Sequence, residues 1–330
     1  MKCRSKKKSF FCFTAAFALC FSPSLYAKFN LGQTVQQSAK ESFVTWFTGP
    51  LLAPSTTTVP QGHVNIEPYY YYQIFNGFYT DAWKATPSKN FYAQYVQLFI
   101  QAGVSENADL QILPQYFWNS YNDQKCSGFG DTLLISGLKI YTEDTNTWYP
   151  SVKLALLLNA PTGRYQKLNP KKLGTDLTGL GVWAPGATLV FGRQINLDSR
   201  HVISVRASAN YNIGTAVHVK GINAYGGDIT TKGIVYPGNS LFVDVAFEAN
   251  ITQSWVYAMD ITYTHANKTR FTGKSLFPNT KPSSEQFALA PALEYNFNAN
   301  IGLISGVWFS YAGRNTLRFL SGVLALNVYI

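Results

Sequence analysis

From His63 to the end of the chain, apolar residues and small or polar residues alternate with a period of two, run after run. Between residues 287 and 297, Phe287, Leu289, Pro291, Leu293, Tyr295 and Phe297 form one set, and Ala288, Ala290, Ala292, Glu294 and Asn296 form the other. A strand sends successive side chains to opposite faces, so each such run has one apolar face and one small or polar face; a helix would mix the two sets. The same split separates Leu241, Val243, Val245 and Phe247 from Phe242, Asp244, Ala246 and Glu248, and recurs in residues 203–212 and 255–264. Runs of this kind predict strands at 62–75, 91–104, 108–118, 130–142, 149–160, 184–195, 201–214, 240–250, 254–266, 285–297, 300–312 and 316–330. Pro68, Pro114 and Pro291 fall inside them, each on the apolar set, where the missing N–H breaks a ladder or marks a bulge.

Composition decides what such strands build. Charged residues make up 13% of the chain, against about one-quarter in an ordinary soluble domain. Aromatic residues are abundant, and no apolar run in residues 28–330 approaches the roughly 18 residues that a membrane helix needs. A transmembrane barrel reconciles these facts, because lipid-facing residues alternate with polar ones and dilute the mean hydropathy. The expected fold is therefore an all-β, up-and-down antiparallel transmembrane barrel of about twelve strands. A soluble sandwich is the alternative, but it has no reason to sort its loops by parity. Here the second, fourth, sixth, eighth and tenth connections read as short. The first, third, fifth, seventh and ninth (76–90, 119–129, 161–183, 215–239 and 267–284) read as long, and only the eleventh breaks the alternation. Tight turns at one rim and long loops at the other give a bacterial outer-membrane orientation with both termini periplasmic. Ile330 departs from the aromatic residue that usually ends such barrels.

The segment before the strands divides in two. Residues 1–27 read as a signal peptide: Lys2, Arg4, Lys6, Lys7 and Lys8 form a basic start, residues 10–21 are apolar, and Leu25, Tyr26 and Ala27 make an acceptable cleavage site. Removing them lowers the formal charge from +10 to about +5, so the basicity does not point to nucleic acid. Residues 28–61 are expected to hold a short amphipathic helix on Val35, Ala39, Phe43, Trp46 and Phe47, ended by Pro50, with residues 54–62 as a linker. That helix either caps the periplasmic mouth, lies at the interface or plugs the lumen. Residues 62–330 form the barrel. Outside the targeting segment the one cysteine is Cys126, which excludes a disulfide framework and a cysteine metal site.

Parity assigns the inward-facing charges: Glu67, Asp109, Asp131, Lys139, Lys153, Arg206, Asp244, Glu248, Asp260 and Glu294. Seven acids against three bases give an acidic lumen, which either lines a pore and sets its selectivity or pairs off and fills a narrow barrel. Twelve strands sit between the filled and the open cases. The four histidines do not converge with Ser and a carboxylate, no His, Asp or Glu cluster has metal spacing, and no catalytic residue or cofactor is expected. Arg164, Lys167, Lys171 and Lys172 gather in the fifth connection, where they suit contact with lipopolysaccharide or a solvated loop.

Residues Asn159, Ala160, Pro161, Thr162, Gly163, Arg164 and Tyr165, followed by Leu173, Gly174 and Trp183, form a Pro-Thr-Gly-aromatic loop that closes a strand. With Ala108, Asp109, Leu110, Gln111 and Ile112 opening a strand after a tight turn, they resemble the family of outer-membrane transporters associated with meta-pathway phenol degradation. The resemblance covers most of residues 60–330. It implies a porin-like uptake channel, with small aromatic or apolar compounds as the solute class. A surface barrel with functional extracellular loops is the second reading and a barrel enzyme the third. Oligomeric state is not legible in the sequence.

Overall fold

The computed structural model describes residues 45–144 and 147–330. The signal peptide and most of the expected N-terminal helix lie outside the described residues. Twelve antiparallel strands form one sheet: β1 (Val64–Tyr79), β2 (Ala85–Ser105), β3 (Ala108–Leu113 continued by Gln115–Tyr121), β4 (Gln124–Phe129 continued by Thr132–Tyr141), β5 (Ser151–Ala160), β6 (Ala184–Asn196), β7 (Val202–Asn212), β8 (Ser240–Asn250), β9 (Trp255–Ala266), β10 (Ser284–Asn296), β11 (Ile301–Arg314) and β12 (Thr316–Tyr329). Each strand pairs with its sequence neighbour, and β12 returns to β1 in register from Asn65 opposite Tyr329 to Tyr79 opposite Thr316. The sheet is therefore closed, which leaves no unpaired edge.

Alternation sorts the strands as read. Along β10, Ala288, Ala290, Ala292, Glu294 and Asn296 are buried, while Leu293 and its set face out. The outer surface exposes Tyr70, Leu98, Leu110, Leu156, Val245 and Leu324 among many apolar residues. Aromatic residues band it at two levels: Trp255, Tyr295 and Phe297 pack in a row near one rim, and Tyr263, Phe287 and Tyr311 near the other. Tyr295 and Phe287 stand eight residues apart on β10, about 26 Å along the strand and about 20 Å along the normal at an ordinary tilt. That spacing compares with an apolar band about 25 Å tall between aromatic girdles. No helix among the described residues is long and apolar enough to cross a membrane; the strands make the crossing.

The prolines leave gaps in one ladder each. Between β1 and β12 the pairing skips from Ile66 to Tyr69 around Pro68, and between β10 and β11 it skips from Leu289 to Ala292 around Pro291. Pro114 splits β3, yet the register against β2 is the same on both sides, with Leu98 N–H donating to the Pro114 carbonyl.

The loop parity needs correction. The third connection is a two-residue turn at Asn122 and Asp123, both with left-handed φ (46° and 62°), as a tight hairpin requires. The first shrinks to residues 80–84, and the fourth (142–150) is longer than both. These hairpins continue past the level where one face meets lipid, so their outer ends lose the apolar alternation that marked strands in sequence. Three long connections remain, at 161–183, 213–239 and 267–283, all at one rim. Within them Val217–Lys220, Lys232–Tyr236 and Arg270–Lys274 pair as a small separate sheet.

Candidate functional site

Residues 45–60 run through the barrel interior. Leu51, Leu52 and Ala53 are fully buried; of the expected linker, 54–62, Ser55, Thr56 and Val59 are buried while Gln61 and Gly62 are exposed. Trp46 and Phe47, the end of the expected helix, are not helical. The segment enters near the lower ends of β10 and β11, where Asn296 donates to the Trp46 carbonyl at 3.1 Å and Thr48 N–H donates to Glu294 at 2.8 Å. It climbs to mid-barrel, where Asp260 on β9 accepts the N–H groups of Leu51, Leu52 and Ala53 at 2.9, 3.1 and 2.8 Å. It then descends past β7, β6 and β5. Arg206 reaches the Ala53 carbonyl, and Lys153 donates to the Thr57 carbonyl at 2.9 Å. Beside the β2–β3 turn the Thr58 hydroxyl donates to the Glu106 carbonyl, and a bridge joins Gln61 to Gly103. The path is a re-entrant loop whose two ends lie at the same rim, the one that carries the β2–β3 turn.

Sequence explains why the wall accepts it. Ala246, Ala258, Ala288, Ala290 and Ala292 face inward and are buried on β8, β9 and β10, so that quarter of the wall is recessed. Glycine marks the closest approaches: a Cβ at Gly103 would overlap the Pro60 carbonyl, and one at Gly302 would overlap Thr48. A coil without helix or sheet must satisfy its backbone elsewhere, and buried carboxylates do so through charge-assisted bonds.

Opposite the recess, β1, β2 and β3 carry an inward aromatic wall. Tyr71 stacks on Tyr95 at 4.4 Å, Tyr95 on Phe117 at 4.8 Å, and Phe91 on Tyr121 at 6.0 Å. Leu51 and Leu52 belong to the same apolar cluster as these rings. The segment thus gives its backbone to the charged side, while its leucines pack into a cluster that holds both these rings and buried alanines of the recess.

The ten inward charges fall into distinct groups. Asp260, Glu294, Arg206 and Lys153 touch the segment directly. Asp109 holds Lys153 in an ion pair of 2.7 Å, both fully buried, and accepts from Gln101 and Gln111. Glu248 pairs with Arg206 at 2.8 Å. Asp244 is buried next to Asp260. Glu67 stands apart, accepting from Asn65, Tyr69 and Asn327 at 2.6 to 2.7 Å. Lys139 is half-buried, near the lower end of β4. Asp131 sits near the outer mouth and accepts the N–H groups of Gly163 and Leu180 at 3.0 and 2.8 Å.

Asp131 gives the Pro-Thr-Gly motif a physical role. The Thr162 hydroxyl donates to the Gly130 carbonyl at 2.6 Å, and Arg164 N–H donates to the Thr178 hydroxyl at 2.9 Å. A Cβ at Gly163 would strike the backbone of Thr178 and Gly179, so the fold of this loop requires glycine there. The other two long loops are stitched by Asp228, which accepts from Thr230, Ser275, Leu276 and Phe277. Those bonds, the Thr230 hydroxyl first, hold its carboxyl well below the usual carboxylate range.

Of the ten charges assigned inward by parity nine are buried and Lys139 is half-buried. Parity misses the aromatic wall, because Tyr69, Tyr70, Tyr71 and Tyr72 put rings on both faces, with Tyr69 and Tyr71 buried and Tyr70 and Tyr72 exposed. The catalytic reading gains no geometry. His201 pairs with Asp198 in an exposed turn and His265 lies 3.7 Å from Glu285. Among the described residues no group of three or more His, Cys, Asp or Glu is placed to hold a metal.

No protein-family model matches the chain, and no curated protein matches it in sequence. Among solved structures, an outer membrane channel from Pseudomonas putida F1 aligns over 84% of this chain and 98% of its own, at 14% identity and a TM-score of 0.63. The two share the barrel fold. The β domain of the Bordetella autotransporter BrkA (82% and 100% covered, 9% identity, TM-score 0.44) and the translocator domain of NalP from Neisseria meningitidis (80% and 88%, 12%, 0.41) are more distant.

Proposed function

We propose that this protein is an outer-membrane channel for passive movement of small apolar or aromatic solutes, with the re-entrant segment 45–60 as its constriction. The girdled apolar exterior and the tight turns at the rim that carries both barrel ends support an outer-membrane setting with periplasmic termini. The observation that carries the reading is the segregated lumen. Above Glu67, Asp109, Gln101 and Gln111, which make the lower part of β1–β3 polar, an aromatic wall on those strands faces a charged recess on β7–β10, and a segment without secondary structure divides them. In a water-filled pore the polar lining would be continuous. Here Lys153 with Asp109 and Arg206 with Glu248 neutralise each other within the wall. We place the solute route on the side of the rings and leucines; Leu51, Leu52 and Tyr71 are fully buried, so passage follows a shift of the segment, and an apolar solute then displaces no strong hydrogen bond.

The inward charges are thus proposed as the seat of the constriction, with Asp260 as its principal latch, more than as an ion-selective lining. The similar fold of the Pseudomonas putida F1 channel agrees with passage as the role. The test is reconstitution into liposomes with toluene as solute, beside single-channel recording in planar bilayers. The expected result is toluene entry faster than in protein-free vesicles, low ionic conductance in the wild type, and raised conductance in Asp260→Ala. Liposomes as slow to toluene as protein-free vesicles would overturn the reading.

A further inference from the structure

Under the three long loops lies a cavity of about 140 Å³ that the constriction does not use. Leu180 and Val182 from the fifth connection, Pro237 from the seventh and Phe242 from β8 supply its apolar lining. Apolar cavities on the order of 150 Å³ take up a single aromatic ring, so the volume sets the size class of an occupant.

The cavity also holds a cation. Lys281 lines it, and its ammonium donates one hydrogen bond, 2.8 Å to the Ala224 carbonyl, while standing 5.6 Å from the centre of the Tyr225 ring. An ammonium has three donors, and Lys281 makes no ion pair among the described residues. Burial alone pushes this ammonium down to about 8. The one other charged residue of the lining, Glu285, is bound by Arg314 at 2.8 Å. The Ala224 carbonyl and the Tyr225 ring replace only part of the hydration this cation loses, and an anion of matching shape supplies the rest.

We propose that this cavity binds a small organic monoanion with an apolar body, such as a single-ring carboxylate. Its carboxylate meets the Lys281 ammonium and its body lies against Leu180, Val182 and Phe242. A second negative charge is disfavoured, because Glu285 stands at the cavity and its cation is already engaged. The proposal rests on the passage reading only in that the cavity then serves as the outer capture point of the route.

Calorimetric titration of the full chain in detergent tests it, with benzoate, benzyl alcohol and benzylamine as probes of like shape. Benzoate should bind one per chain, at least about tenfold tighter than benzyl alcohol, with benzylamine weakest; a hydrogen-bonded charge contributes on this scale. Lys281→Gln should remove the preference for benzoate, and Lys281→Arg should keep most of it. Equal binding of benzoate and benzyl alcohol, or no benzoate binding, would overturn the proposal, as would benzoate binding untouched by Lys281→Gln. If Lys281→Gln does not fold, the three-probe comparison on the wild type still decides. Binding does not require passage. A chain that binds benzoate but leaves toluene outside liposomes breaks the channel reading alone, and the reverse outcome breaks this one alone.

Discussion

At mid-barrel Asp260 receives the N–H groups of Leu51, Leu52 and Ala53; at the outer mouth Asp131 receives those of Gly163 and Leu180. The chemistry is the same: a carboxylate on the wall satisfies a strand-free stretch of backbone. The tethers differ. Asp260 and its partners are 207 to 209 residues apart in sequence, whereas Asp131 lies 32 and 49 residues from its own. The outer loop is also tied at both ends to adjacent strands, β5 and β6, and it packs glycine against glycine at Gly163 and Gly179. The re-entrant segment is anchored to the barrel at β1, with no strand preceding it among the described residues. If both carboxylates were lost, the outer loop would still be confined by its ends. The inner segment would keep its bonds to Glu294, Asn296 and Lys153, but with a strand following it and none preceding it among the described residues. One device therefore holds a cover at the outer mouth and, in the function proposed above, a releasable constriction at mid-barrel.

The sharpest way to break this comparison is Asp260→Ala. It leaves three buried N–H groups without acceptors, a loss of about 3–5 kcal/mol. The expected result is protease cleavage within residues 45–60 in the folded barrel and a rise in conductance. A segment that stays protected would show that side-chain packing of Leu51 and Leu52 holds it instead. Asp131→Ala removes two acceptors and should cost about 2–4 kcal/mol in urea unfolding from lipid vesicles, with conductance unchanged. Conductance rising as much as for Asp260→Ala would erase the distinction between the two ends.

A smaller effect belongs to Asp228. Its carboxyl ionises below the unfolded value of about 3.9, so its stabilising bonds are complete above that pH and are lost as pH falls through the folded value. Amide exchange at Leu276 and Phe277 should be flat from pH 7 to 5, after correction for intrinsic rates, and become less protected below about 4. The least effect is expected at Asp198, held to about 2 by the backbone N–H of Arg200 and by His201 in an exposed turn. Asp198→Ala should leave the thermal midpoint and the conductance within error, because exposed pairs contribute little.

Much of the fold was legible because lipid imposes a strict alternation on every crossing residue. Where that constraint stops, legibility stops. The outer ends of β1 to β4 project beyond the apolar band, and residues 85–90 and 124–129 carry no clean period, so two hairpins have the sequence character of long loops. Inward direction was recoverable for the charges, since Asp244, Glu248 and Asp260 lie between apolar outward neighbours. Their partners were not, because a segment with no period of its own leaves no trace of which wall it will follow. Thr56 and Thr57 read as linker residues, and the recess of alanines that receives the segment reads as ordinary small interior packing.

The re-entrant segment also bears on how the barrel is put together. Thr48 bonds Glu294 and Asn296, which follow it by 246 and 248 residues, and β1, which the segment leads into, closes the seam with β12. Contacts of such separation are slow to form, because chain entropy is surrendered before they return any stabilisation. The alanine recess is shaped only once β8, β9 and β10 are paired, and the barrel interior exists only once the seam is shut. The segment is therefore seated last or enclosed as the seam closes. In either order, correct seating reports that all twelve strands have found their register.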